Sequence, residues 1–136
     1  MICIELEHAC EKAENINVCD DGKAVTYSAQ TDEYKSILKA WNEMLEGAHL
    51  MPAFGVSLNR ETVKAMKEGL WVEFDFNNVY ESGGLPYEKL LIAVKSGDSG
   101  FNLIRYMQEC GYDGRCFYYD LVSKDMSGLY DLLGSL

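Results

Sequence analysis

Apolar residues recur at every second position over much of the stretch from Leu70 to Val122, and at every third or fourth position in other segments. The first period marks strands with one buried face and the second marks amphipathic helices. From Leu70 onward, Leu70, Val72, Phe74 and Phe76 point one way while Trp71, Glu73 and Asp75 point the other. Lys89 to Lys95 repeats the pattern, with Leu90, Ile92 and Val94 inward and the two lysines outward. Gly97-Asp-Ser-Gly100 turns into a strand from Phe101 to Met107, and Gly111-Tyr-Asp-Gly114 turns into another from Arg115 to Val122. In that last strand Phe117, Tyr119 and Leu121 share one side, and Cys116, Tyr118 and Val122 the other. Strands joined by short glycine turns predict an antiparallel meander over about residues 70–122. Asn77 to Pro86, rich in turn formers, reads as the longest loop.

The helical period is clearest after Thr31, which caps a helix over about residues 31–46 with Asp32 and Glu33 in its first turn. Tyr34, Ile37, Leu38, Trp41, Met44 and Leu45 form its apolar stripe, and Gly47 follows where a left-handed cap is cheapest. Met51 to Leu58 reads as an irregular lead-in to a short strand. Asn59 caps a shorter helix over Arg60 to Glu68, with Val63 and Met66 inward and Gly69 ending it. Ser123 caps a C-terminal helix over about residues 124–133, with Met126, Leu129, Tyr130 and Leu133 on one side.

Two periods fit residues 1–28. Ile2, Ile4 and Leu6 alternate as in a strand, whereas Leu6, Ala9, Cys10 and Ala13 follow a helical face, so a short strand leads into a short helix. Asp20-Asp21-Gly22 is a turn and Lys23 to Ser28 a second strand. Helices mixed with antiparallel strands predict an α+β fold in one domain spanning residues 1–136, with four to six strands in the sheet. The helix from Thr31 lies across one face and the C-terminal helix packs beside it.

Length and composition agree. A chain of 136 residues removes roughly two thirds of its unfolded surface from water, enough for a core held by packing. No window approaches the roughly 18–20 apolar residues of a membrane span, and the first residues lack a signal-peptide pattern, so a cytoplasmic protein with no membrane association is expected. Five cysteines, odd in number and without a Cys-x-x-Cys pair, suggest neither a disulfide framework nor a zinc knuckle.

Charge narrows the function further. Twenty-two acidic residues against twelve basic ones leave a net charge of −10, and the first 46 residues carry ten acidic and four basic side chains. No lysine or arginine cluster can follow a phosphate backbone, which argues against direct nucleic-acid binding.

Chemistry-bearing constellations are sparse. Glu73 and Asp75 beside Trp71 resemble the carboxylate pair of a glycoside hydrolase, but carboxylates two apart are also common on a solvated strand, where Lys89 and Lys95 can pair with them. His8 with Cys3 and Cys10 fits no usual zinc spacing, and Cys110 or Cys116 has only His8 and His49 as possible bases. Gly97 to Gly100 and Ser82 to Gly84 match no phosphate or dinucleotide loop. No cofactor or metal is expected.

The aromatic set Tyr106, Tyr112, Phe117, Tyr118 and Tyr119 suits either a covered sheet or a binding face. As a binding face it offers Arg105, Tyr106, Tyr112 and Tyr118, with Arg105 as anchor for an anionic group. The expected function is a small acidic, non-enzymatic interaction domain that inhibits or antagonises a basic protein partner. The alternatives are a small hydrolase using the carboxylate pair or a Cys/His site, and a small-molecule module with a pocket between the sheet and the Thr31 helix, lined by Trp41 and the tyrosines.

Overall fold

A long hairpin runs through the centre of the fold. The computed structural model describes residues 2–52 and 55–136. Its elements are β1 (Ile2–Cys3), α1 (Leu6–Ala9) running into a 3-10 turn, β2 (Asn15–Asp20), β3 (Lys23–Ser28), α2 (Asp32–Leu45), β4 (His49–Met51) and β5 (Val56–Ser57). Next come α3 (Asn59–Ala65), β6 (Leu70–Ser82), β7 (Leu85–Val94), β8 (Gly100–Tyr106), β9 (Gly114–Arg115), β10 (Phe117–Asp120) and α4 (Ser127–Gly134). Ala53 and Phe54, part of the expected lead-in from Met51 to Leu58, lie outside the described residues.

The α+β architecture follows the periodicity, with α2 and α4 packed on the sheet. The sheet is larger than the four to six strands expected: eight strands, seven of them in the order β3-β2-β6-β7-β8-β10-β4, with β1 added in parallel to the far end of β6. One extra strand is β2, where Ile16 and Val18 alternate into the core opposite Phe74 and Val72. Another is β4, only three residues long and too short for a period to show in sequence. The short N-terminal strand expected before the first helix is present as β1, reduced to Ile2–Cys3.

The expected loop from Asn77 to Pro86 is mostly strand. A register shift between Asp75 and Tyr80 absorbs the polar Asn77 and Asn78, with Asn77 at φ 52°, and pairing resumes at Tyr80↔Tyr87. The turn itself is only Gly83-Gly84, both with positive φ, as a tight two-residue hairpin requires.

Two helix boundaries also differ. Asn59 is the first residue of α3 and not its cap, Thr62 is the residue that α3 buries, and Val63 is exposed. The C-terminal helix starts at Ser127 rather than after Ser123, because the Asp125 carboxylate accepts the Ser127 amide at 3.0 Å and so ties down the first turn. Met126, Leu129 and Leu133 are buried as expected, while Tyr130 faces outward.

Thr31 does cap α2, its Oγ1 accepting the Tyr34 amide at 3.2 Å. Helix α2 buries Tyr34, Ile37, Trp41 and Met44, each worth roughly 1.5–3 kcal/mol if fully desolvated. Trp41 is 1% exposed, its ring 5.0 Å from Phe74 on β6 and 5.4 Å from Phe101 on β8. Those rings stand on two parts of the sheet that barely share backbone. β7 and β8 pair only over Lys89↔Tyr106, Leu90↔Arg105 and Leu91↔Ile104, while the first half of β8 pairs instead with β10.

Gly100 sits where β8 approaches β10. A Cβ there would lie 3.0 Å from the Tyr119 carbonyl oxygen and would strike the Tyr118 ring. Gly128, inside α4, has open space around it. Gly100→Ala is therefore expected to destabilise the protein by about 1–3 kcal/mol and Gly128→Ala to stabilise it by up to about 1 kcal/mol, as read by urea denaturation.

Candidate binding cleft

Two of the four residues singled out from the aromatic set, Tyr112 and Tyr106, lie at or beside a buried carboxylate on the face of the sheet opposite α2. Glu73 is 6% exposed. It accepts hydrogen bonds from the Tyr112 hydroxyl and, at 3.3 Å, from Asn17 Nδ2, and pairs with Lys89 Nζ at 3.8 Å. Tyr106 packs 5.0 Å from the Tyr112 ring, and Lys89 Nζ stands 4.8 Å from the Tyr106 ring centre.

Loop residues 107–114 are folded over this face from both ends. Asn59 Oδ1 accepts the Tyr112 amide at 3.0 Å, and Asp113 Oδ1 accepts the Asn59 amide at 2.5 Å. Gly111 has φ 63° and lies against the Asn59 side chain, so no larger residue fits there. Tyr112 is thus buried as a hydrogen-bond donor. Burial, reinforced by the Glu73 carboxylate, raises its pKa well above the usual phenol range.

Arg105 is half-buried, and its guanidinium donates to the Arg115 carbonyl at 2.8 Å and the Pro86 carbonyl at 2.7 Å. Burial pulls its pKa down. Its donors tie β8 to the neighbouring backbone, leaving it poorly placed to anchor an external anion. Tyr118, 37% exposed, lines a shallow depression of about 260 Å³ with Trp71, Ala93 and Asn102.

The remaining constellations disperse. Asp75 Oδ1 accepts the Asn77 amide at 3.1 Å, within the bulge. Cys10 is buried whereas Cys3 and His8 are exposed. His8 instead lies near the exposed carboxylates of Glu5 and Glu7. Among the described residues no hydrogen bond joins either histidine to Cys110 or Cys116. Trp41 and its aromatic neighbours fill the space between α2 and the sheet where a pocket was expected.

The most distinctive cavity lies elsewhere. A cleft of about 660 Å³ opens between the β1–α1 segment, the tip of the β6–β7 hairpin, and the β10–β4 edge. Ile4, Leu6, Ala48, Leu50, Phe117 and Tyr119 give it apolar walls, and Glu5, Glu7 and Glu81 supply three carboxylates with no lysine or arginine among the lining residues. β1 is held in place by the Ile4 amide, which donates to the Glu81 carbonyl at 2.9 Å, and by the Ser82 hydroxyl, which donates to the Ile4 carbonyl at 2.8 Å. A larger groove of about 790 Å³ at the other end of the sheet mixes Asp20, Asp21 and Glu68 with Lys95, and so lacks this single sign of charge.

The chain matches no family model, no curated protein and no solved structure. Among the described residues no helix is long and apolar enough to cross a membrane. The cleft was not legible as a site, because its walls come from four separate segments. The one sequence signal pointing to it is the anionic N-terminal stretch, where Glu5 and Glu7 interleave with Ile4 and Leu6.

The tyrosine environments are open to test. Tyr112→Phe removes one donor from a buried carboxylate and is expected to cost about 1–3 kcal/mol in urea denaturation. Tyr106→Phe, whose hydroxyl has no hydrogen-bond partner among the described residues, should stay within about 0.5 kcal/mol. Burial also raises the pKa of Tyr87, to about 12, and those of Tyr34 and Tyr119. Because folded values exceed the unfolded value of about 10, the stability these four phenols contribute is complete below about pH 10 and is lost as pH rises through the folded values. An ultraviolet titration should show four of the nine tyrosines ionising after the rest, together with alkaline unfolding. Ionisation of all nine near pH 10 with the fold intact would contradict these environments.

Proposed function

We infer that the chain is a small, non-enzymatic interaction domain that takes a basic segment of a protein partner into the cleft between β1 and β4. The observation that carries this reading is the pairing of an apolar floor with a rim bearing Glu5, Glu7 and Glu81 and no lysine or arginine, on a chain of net charge −10. Lysine suits such a site. Its aliphatic stem covers apolar surface while its ammonium group reaches out to the carboxylates. Occupying a basic surface in this way blocks it for other anions, which makes antagonism of the partner the natural consequence.

The physics sets the expected signature. Contacts between exposed charges are worth about 0.2–1 kcal/mol each and are screened over roughly 10 Å at 0.1 M salt, so affinity and association rate both depend on ionic strength. A fluorescein-labelled peptide alternating lysine and threonine is the appropriate probe. By fluorescence anisotropy it should bind at low salt and weaken about tenfold or more at high salt, and a Glu5→Gln/Glu7→Gln/Glu81→Gln variant should lose a similar factor at low salt. Binding that is insensitive to salt and to the triple variant, or equal binding of a glutamate–threonine peptide, would refute the reading.

A further inference from the structure

The strand that bounds the cleft points to a mode of binding, one that rests on the acidic-cleft reading and deepens it. β4 ends the seven-strand path, pairing with β10 through Tyr118↔Met51, Tyr119↔Leu50 and Asp120↔His49. Among the described residues no strand pairs with its outer edge. All three of its residues are exposed, Leu50 at 50% and Met51 at 42%. An open edge with apolar side chains and no lysine is a template for a further strand, and proteins that do not use such edges protect them. The opposite edge, β3, carries Lys23 and borders no comparable apolar cleft.

Register decides what an added strand would present to the cleft. Leu50 pairs with Tyr119, so it shares the sheet face of Tyr119 and Phe117, and all three line the cleft. In a strand placed next to β4, every second side chain projects on that same face. Those side chains enter the cleft that Leu50, Phe117 and Tyr119 line together with the carboxylates of Glu5, Glu7 and Glu81. The intervening side chains point away from the cleft, on the face of Met51 and Tyr118.

We propose that the basic partner segment binds as an extended strand added to the outer edge of β4, with lysine or arginine at alternate positions entering the cleft. Main-chain hydrogen bonds to His49–Met51 hold the segment, and the period of two selects its sequence. This makes a pattern, and not only a charge, the recognition signal.

The test uses the full chain and the alternating lysine–threonine peptide, with three relatives of equal charge. One has the same composition in two blocks, lysines then threonines. The others carry N-methyl groups on all the lysines or on all the threonines, which removes the amides facing one edge of the strand and leaves those facing the other. The expected result is that the block peptide and one N-methylated isomer bind about tenfold more weakly or worse, while the other isomer binds like the parent. Amide exchange in the complex should slow within His49–Met51. If the block peptide and both isomers bind like the parent, while salt and the triple glutamate variant still weaken binding, the strand mode is overturned and the acidic-cleft reading stands. If no lysine peptide binds at low salt, both fall.

Discussion

The Trp41 indole, lodged between Phe74 and Phe101, is the contact on which the rest of the structure depends. The sheet is in effect two ladders that share β8, and its two parts are joined by backbone pairing over only three residue pairs. Hydrogen bonds across so short a ladder do not hold two large surfaces at a set angle. Aromatic packing does: Trp41 connects β6 to β8, and Tyr87 meets Phe117 at 6.1 Å across the same divide. Rings of this size bury large areas and have preferred mutual geometries, so they set angle as well as distance.

The opening of the sheet at that divide has consequences on both of its faces. On the helix side, β10 and β4 curl toward the far end of the β6–β7 hairpin, where β1 has joined β6 in parallel, and the gap left between β1 and β4 is the acidic cleft. On the other side, the residues 107–114 close over the sheet, with Tyr112 reaching Glu73 and Asn59 holding the loop's main chain. A buried carboxylate is costly unless it is compensated, and Glu73 has a phenol, an amide and an ammonium group around it. A carboxylate so engaged supports the fold, which is why Tyr112 and its neighbour Tyr106 belong to this network, while Tyr118 stays exposed.

Much of the architecture was legible in the letters. Alternation located β6, β7, β8 and β10, helical spacing located α2 with its Thr31 cap, and the order of periods pointed to an α+β fold. What failed did so locally and for identifiable reasons. Asn77 and Asn78 favour turns, but a bulge absorbs them within a continuous strand. β4 is too short to show a period, and it exists because β10 offers it a ladder. Ser123 resembled a cap, yet α4 begins only at Ser127, whose amide donates to the Asp125 carboxylate in the turn before the helix.

Site residues divide along the same line. Residue type and spacing determine which side chains share a face, because that relation is set within a few residues by backbone geometry. They do not determine what lies opposite that face. Whether Arg105 reaches solvent or the Pro86 and Arg115 carbonyls, and whether Tyr112 meets a ligand or Glu73, depends on segments roughly ten to forty residues away. The sequence by itself determined most of the elements, the buried faces of the longer ones and an anionic composition. Only the tertiary structure decided that Glu5, Glu7, Leu50, Glu81 and Phe117 surround one cavity, since a cavity is made by the packing of elements that carry no local record of one another.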